Sequence, residues 1–285
     1  MSAEADWEIR MSAVTDELIE LRGLRFHFRE WASHKPDAPD LVLLHGYTGH
    51  ARSWDAFAEA MTDRYRVLAL DQRGHGESGW AADYVISEMV ADLGAFVAAL
   101  GLEAFALVGL SMGGMVAMDY AGGRPDALAA LVVVDIAPEL VTSGAERIQE
   151  QQKDSDVFVS REAAYAAIRS VSPIPPEAHL RRRVYNNLMR LADGRFTWRY
   201  DRLLRSPAAL GRRDPEAGWR ACANIAAPTL IVRGEISDIL SPELAERLGQ
   251  TIPGARVATV AGSGHAVPLD KPDGFLAAAR DFLLG

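Results

Sequence analysis

The sequence predicts an α/β fold in which a mostly parallel, wound sheet carries helices on both faces. One observation is a set of short, nearly continuous apolar runs, which are typical of parallel strands buried on both sides. These runs lie at 41–44, 66–70, 105–108, 131–134 and 229–232. The second observation is helical spacing of apolar residues between them, at 54–61, 87–100, 115–120 and 242–248. Repeated alternation of strand and helix implies right-handed crossovers and therefore a wound sheet.

The two ends of the chain extend this pattern. Residues 17–22 and 24–31 mix apolar and polar residues around Gly23, which favours an antiparallel hairpin at a sheet edge. A last strand over 256–260 and a helix over about 273–284 complete the fold. A chain of 285 residues is long enough for one large catalytic domain.

A segment from residue 139 to 220 interrupts the alternation. It is rich in charge, has helical spacing, and is interrupted by prolines at positions 173, 175, 176 and 207. We predict that it forms a helical cap inserted in a core made of residues 1–138 and 221–285.

Composition excludes several classes of partner. A net charge of −9 argues against nucleic acid and against acidic lipid surfaces, because phosphate binding depends on clustered Lys and Arg. The lone Cys222 cannot form an internal disulfide, and acidic residues interrupt any signal-peptide pattern near the start. No apolar run approaches the roughly 20 residues of a membrane helix. We therefore expect a cytoplasmic protein that acts on a small molecule, with its oligomeric state left open.

The candidate nucleophile is Ser111. It lies in a Gly-Leu-Ser-Met-Gly motif that directly follows the apolar strand 105–108 and opens a helical pattern. This strand-turn-helix setting is what a nucleophile elbow requires, since the tight turn exposes the serine hydroxyl at a helix N-terminus. The backbone N–H of Met112 then points to where an oxyanion would form, and Tyr47, in the Gly-containing loop after the first parallel strand, is the candidate second donor.

A serine hydroxyl needs a general base and a group that orients that base. Of seven histidines, His265 has the best position, in a glycine-rich loop after the last strand, whereas His45 is better suited to bracing its loop. Two aspartates that follow strands could orient His265. We prefer Asp238 because it preserves the chain order Ser, Asp, His, and Asp135 is the alternative.

With these motifs in place, the chain resembles the α/β-hydrolase family over nearly all of residues 20–285. The resemblance implies hydrolysis by a Ser-His-Asp triad that needs no cofactor or metal. Most members place the acid where Asp238 lies, and some place it where Asp135 lies. Segments 134–138 and 234–241 resemble small carboxylesterases and the amide hydrolases of vitamin B6 breakdown. Those amide hydrolases use the earlier acid, at the position of Asp135.

Charge is concentrated in the predicted cap. Residues 181–220 contain eleven arginines against four carboxylates, a net charge of +7. Guanidinium groups bind carboxylates in a bidentate manner, so a basic cap could clamp a carboxylated substrate. The alternative is that the cap arginines only form salt bridges or face solvent. The candidate binding residues are Arg181, Arg182, Arg183, Arg199 and Arg202.

The function that this pattern favours is a carboxylesterase-type serine hydrolase acting on an ester or amide through an acyl-enzyme. Two alternatives remain open at this stage. The same catalytic residues could hydrolyse a carbon-carbon bond, or the scaffold could serve as a small-molecule receptor with slow, incidental hydrolysis.

Overall fold

An eight-stranded sheet forms the centre of the computed structural model, which describes residues 14–139, 156–206, 209–211 and 214–285. The described strands are β1 (Val14–Leu21), β2 (Leu24–Trp31), β3 (Asp40–Leu44), β4 (Arg66–Leu70), β5 (Phe105–Leu110), β6 (Leu128–Val134), β7 (Val157–Phe158), β8 (Leu188–Arg190), β9 (Phe196–Trp198), β10 (Thr229–Gly234) and β11 (Arg256–Val260). The strand order in the sheet is β1-β2-β4-β3-β5-β6-β10-β11. Among the described pairs of this sheet, only β1–β2 and β2–β4 are antiparallel, so the predicted edge hairpin and the mostly parallel sheet are confirmed.

Helices cover both faces of this sheet. The described helices are α1 (Asp55–Met61), α2 (Ile86–Ala99), α3 (Met112–Gly122), α4 (Arg161–Val171), α5 (Glu177–Asn186), α6 (Pro215–Ala223), α7 (Pro242–Thr251), α8 (Val267–Asp270) and α9 (Pro272–Leu284). Alternate residues of a strand belong to different hydrophobic clusters. Leu107 belongs to the cluster that contains α2, α3, α6 and α7, whereas Ala106 and Val108 belong to the cluster that contains α1 and α9. None of these described helices is long and apolar enough to cross a bilayer.

Residues 157–198 lie outside the main sheet. Strands β7, β9 and β8 form a separate three-stranded antiparallel sheet, and α4 and α5 share a small core with it. The predicted cap boundary at residue 220 falls inside α6, which packs on α3, with Cys222 Sγ 3.6 Å from Met118 Sδ. The cap over 139–220 remains a prediction, and its residues 140–155, 207–208 and 212–213 lie outside the described residues.

Candidate active site

Ser111 lies at the junction between β5 and α3. Its φ of 53° and ψ of −114° place it in a conformation that non-glycine residues rarely adopt. The Ser111 N–H donates to the Val134 carbonyl at 3.0 Å, and its own carbonyl accepts the Met115 N–H of the first helical turn at 2.9 Å. These bonds hold the strained turn between two neighbouring strands and the helix.

The glycines around Ser111 allow three backbone segments to meet. A Cβ on Gly109 would lie 2.3 Å from the Gly113 carbonyl oxygen, and a Cβ on Gly113 would lie 2.5 Å from the Leu44 carbonyl oxygen. No real Cβ tolerates such contacts. The turn, the start of α3 and the end of β3 can therefore approach this closely only with glycine at both positions.

His265 links Ser111 to a carboxylate. The Ser111 hydroxyl lies 2.9 Å from His265 Nε2, and His265 Nδ1 lies 2.8 Å from Asp135 Oδ2. Because an ionised carboxylate only accepts hydrogen bonds, Nδ1 carries the proton and Nε2 is free to accept one from the serine. The side chain of His265 is 19% exposed, whereas that of Asp135 is fully buried.

The structure corrects the preference for Asp238 as the orienting acid. Asp135 also accepts hydrogen bonds from the Gly234 N–H, at 2.8 Å, and from the Ser237 hydroxyl, whereas Asp238 is half-buried beyond Ser237. Both aspartates lie between Ser111 and His265 in the chain, so chain order could not separate them. Strand order does, because β6 is the direct neighbour of β5 and brings residue 135 beside residue 111.

The loop after β3 passes next to Ser111. A Cβ on Gly46 would lie 3.3 Å from the Ser111 Cβ, and the following residue, Tyr47, donates its hydroxyl to the Leu204 carbonyl at 2.7 Å. Met112 is buried at the first position of α3. Donation of the Tyr47 and Met112 N–H groups to an oxyanion remains a prediction.

His45 braces this loop. Its Nδ1 bonds to the Gly46 carbonyl at 2.9 Å, its Nε2 accepts the Gln72 N–H at 3.0 Å, and Gln72 Nε2 returns a bond to the His45 carbonyl. Burial lowers the pKa of His45 to about 3, and the neighbouring His75 adds to this shift. His45 is therefore a neutral, fixed connector between the ends of β3 and β4.

The five predicted cap arginines are divided by their partners. Arg181 pairs with Glu177, Arg199 with Glu77 and Arg202 with Asp156. Arg182 and Arg183 have no ion pair within the part of the chain that the structure describes. The structure therefore does not bring the five together into one clamp.

Arg183 acts electrostatically on the loop that carries His265. Its charge acts on Asp270, which accepts the Gly264 N–H at 2.9 Å beside His265. Burial raises the pKa of Asp270, and the Gly264 bond and Arg183 oppose that shift. The segment 157–206 also contacts this loop, since a Cβ on Gly264 would lie 3.2 Å from Ile174 Cδ1.

Two site residues, Ser237 and Asp270, were missed by the sequence reasoning. Ser237 bonds to Asp135, and Asp270 fixes the loop that carries His265. A serine one position before Asp238 carries no sequence signal, and no motif in the sequence singled out Asp270. Among the described residues, no group of three or more His, Cys, Asp or Glu side chains is arranged to hold a metal.

The fold and this site define an α/β hydrolase, and comparison with known proteins agrees. A family model described as the alpha/beta hydrolase fold matches residues 39–272, so the chain belongs to that family. A mouse relative, sn-1-specific diacylglycerol lipase ABHD11, is 33% identical over 261 residues, which cover 86% of this chain and 81% of the relative. An esterase of Mycobacterium tuberculosis is 30% identical over 256 residues, 86% of this chain and 83% of the relative.

Solved structures agree with this assignment. An alpha/beta hydrolase from Novosphingobium aromaticivorans has a TM-score of 0.84 and 30% identity, and the match covers 96% of this chain and 99% of that one. The relatives include esterases, lipases and other hydrolases. The protein is thus a hydrolase of the α/β-hydrolase superfamily.

Proposed function

We propose that this protein is a serine hydrolase that cleaves a carboxylic ester or amide through an acyl-enzyme. The observation that supports this most directly is the chain of two hydrogen bonds, 2.9 Å from Ser111 to His265 and 2.8 Å from His265 to Asp135. A nucleophile, a base and a group that orients the base are the three parts that this chemistry requires.

In the first half-reaction, Ser111 Oγ attacks the carbonyl carbon while its proton moves to His265 Nε2. The resulting imidazolium is stabilised by Asp135, which keeps the Nδ1 proton in place. The oxyanion is held by the N–H groups of Tyr47 and Met112. Collapse of this intermediate breaks the ester or amide bond, and the proton on Nε2 passes to the leaving alcohol or amine.

In the second half-reaction, His265 takes a proton from water as that water attacks the acyl-enzyme. The proton then returns to Ser111 Oγ, and the carboxylic acid leaves. Relatives named esterase and lipase favour oxygen esters among the bonds that this sequence of steps can cleave.

Substrate preference is proposed from Arg183. Its guanidinium has no carboxylate within ion-pair distance among the described residues, and it lies near the loop that carries His265. Burial lowers the pKa of this guanidinium, so an incoming carboxylate would stabilise its charged form. We therefore propose that Arg183 binds a carboxylate on the substrate.

The experiment that tests the reaction class is multiple-turnover hydrolysis of p-nitrophenyl acetate and butyrate. Ser111→Ala should reduce kcat by at least about 10³-fold, because a serine hydrolase without its nucleophile keeps only a small residual activity. Ser170→Ala, which removes an exposed hydroxyl of α4, is the matched control and should keep full activity. An active Ser111→Ala protein would refute the proposal, and so would a wild-type protein that stops after one turnover.

A further inference from the structure

A cavity lies between the segment 157–206 and the loop that follows Tyr47. Its volume is about 420 Å³, and its lining includes neither Ser111 nor His265. Four arginines and a single carboxylate line it. The lining residues are His50, Arg52, Glu77, Arg161, Arg182, Tyr185, Asn186 and Arg199.

Two of these arginines are neutralised by protein carboxylates. Arg52 pairs with Asp16 at 3.0 Å, and Arg199 pairs with Glu77. Arg161 instead lies over aromatic rings, with its guanidinium carbon 5.9 Å from the Tyr185 centroid. Neither Arg161 nor Arg182 has a carboxylate within ion-pair distance among the described residues.

His50 adds a hydrogen-bond donor to the wall of this cavity. It is 2% exposed, and its Nδ1 accepts the Arg52 N–H at 3.2 Å, so the proton of the neutral ring is on Nε2. That buried Nε2 has no hydrogen-bond partner among the described residues. Burial and the charges of Arg183, Arg199 and Arg52, opposed by the charge of Asp71, lower the pKa of His50 to about 4. A buried donor without a partner destabilises the protein, and a hydrogen bond to a ligand acceptor would offset that cost.

One face of α5 lines this cavity, and another face packs in the small core of the segment 157–198. Arg182, Tyr185 and Asn186 of α5 are three and four residues apart and so share one face, which lines the cavity. Leu180 and Val184 lie on another face and pack in the small core beside β8. The helix thus presents different side chains to the cavity and to the rest of the fold.

We propose that this cavity binds the phosphate group of a small molecule, at a site separate from the Ser111–His265 pair. A phosphate ester carries up to two negative charges and three strong acceptor oxygens, which match the guanidinium groups of Arg161 and Arg182 and the His50 Nε2–H. A carboxylate has one charge and two oxygens, and would leave part of this set without a partner. The volume lies within the range of small-molecule sites, so the phosphate can carry an organic group.

The direct test is titration calorimetry with inorganic pyrophosphate. We expect saturable binding to the wild-type protein and unchanged binding to Ser111→Ala, because the nucleophile is not part of the cavity. Arg161→Gln/Arg182→Gln should weaken binding at least tenfold. Arg161→Gln alone should weaken it by a smaller factor, which provides a second variant if the double substitution impairs folding.

The matched control is Arg195→Gln/Arg220→Gln, which changes the net charge equally at two exposed arginines outside the cavity. Pyrophosphate affinity should stay within about twofold of wild type. Equal weakening by both double variants would mean non-specific attraction and would overturn the proposal, as would a lack of saturable binding. Succinate should bind at least tenfold more weakly, and equal affinity for succinate would overturn the assignment to phosphate.

Two further measurements separate this site from the catalytic one. Pyrophosphate should shift the His50 Nε2–H resonance on binding, and an unchanged resonance at saturation would contradict the proposed contact. Pyrophosphate should not compete with a neutral p-nitrophenyl ester, and purely competitive inhibition would place the ligand in the catalytic pocket. Because binding to Ser111→Ala does not require turnover, it can succeed or fail independently of the proposed hydrolase activity.

Discussion

At the scale of single residues, Ser111 and Asp135 share a positive φ angle. Both have a φ of 53° although neither is glycine, and each directly follows a strand of the parallel sheet. Such conformations cost about 1–3 kcal/mol and persist only where the surroundings hold them. At Asp135 the surroundings are the N–H of Gly234 and the Ser237 hydroxyl, which fix the carboxylate beneath His265.

Substitution of the two candidate acids distinguishes them. Asp135→Asn should lower kcat for p-nitrophenyl butyrate by about 10³- to 10⁴-fold, because an amide cannot hold the correct tautomer of His265 or stabilise its imidazolium. Asp238→Asn should change kcat by less than about threefold, since the His265 ring bonds to Asp135. Steady-state kinetics on both variants checks this, and a larger loss in Asp238→Asn would reverse the assignment.

Asp71 is a buried residue outside the reaction that ties four segments together. It accepts the Ala51 N–H at 2.5 Å, the Glu77 N–H at 2.9 Å and His27 Nδ1 at 2.7 Å. Burial alone would raise the pKa of Asp71, but the His27 bond and nearby histidine charges lower it to about 2. Burial would likewise lower the pKa of His27, but its bond to Asp71 raises it.

These shifts give the stability a defined pH dependence. Near pH 5.5, Asp71→Asn should lose about 3 kcal/mol of unfolding free energy, as expected for a broken buried pair. The lowered pKa of Asp71 stabilises the folded protein at pH values above the pKa of Asp71 in the unfolded chain. About 2 kcal/mol of this stabilisation should be lost as the pH falls from about 4 to 2. The raised pKa of His27 stabilises the folded protein at pH values below the pKa of His27 in the unfolded chain. This stabilisation is lost as the pH rises through the higher pKa of His27 in the folded protein.

Urea unfolding of the wild-type and Asp71→Asn proteins at several pH values measures this dependence. The gap between their unfolding free energies should be widest near pH 5.5. It should narrow below pH 4, and narrow partly on the alkaline side of the His27 titration. A gap that stays constant from pH 6 to pH 2.5 would contradict the role given to the Asp71 charge.

At the scale of elements, the core could be predicted from the sequence because its strands are buried on both faces. Such strands read as nearly continuous apolar runs, and the predicted strand 66–70 agrees with β4 residue for residue. Strands β7, β8 and β9 could not be predicted, because two or three residues do not establish a period of two. The sequence could not distinguish Asp135 from Asp238 as the acid, because the order of strands along the chain does not give their order in the sheet.

Helix α3 contains a glycine whose substitution should act against the usual preference. Replacing glycine by alanine within a helix normally adds up to about 1 kcal/mol of stability. At Gly113 the added Cβ would lie 2.5 Å from the Leu44 carbonyl oxygen, so the helix or β3 must shift. Gly113→Ala should therefore destabilise by about 2 kcal/mol or more and lower kcat, since the shift disturbs the Ser111 turn.

Gly94 of α2 is the matched control. The nearest atom to a Cβ there is Tyr120 Cε2 at 3.9 Å, an ordinary contact. Gly94→Ala should be neutral or stabilise by up to about 1 kcal/mol, with unchanged kcat. Chemical denaturation and ester hydrolysis on both variants test this, and effects of the same sign would show that the close approach at Gly113 is not what matters.

At the scale of the whole molecule, charge is divided between regions of opposite sign. The net charge is −9, although residues 181–220 alone carry +7. Several cap arginines are paired with carboxylates, among them Arg199 with Glu77 of the core and Arg202 with Asp156. The salt-bridged alternative therefore accounts for part of the excess, and Arg183 remains as a charge near the His265 loop.

The ionic-strength dependence of catalysis separates local from global electrostatics. If Arg183 binds a substrate carboxylate, kcat/KM for a carboxylated ester, such as p-nitrophenyl hemisuccinate, should fall steeply between about 0.01 and 0.5 M salt, because the Debye length shrinks from about 30 Å to only a few Å. A neutral ester of similar length should be insensitive to salt. Arg183→Gln should remove the dependence for the carboxylated ester, mainly by raising KM, whereas Arg195→Gln should preserve it. If kcat/KM for the carboxylated ester instead rises with salt, repulsion by the overall charge of −9 dominates and Arg183 does not bind the carboxylate.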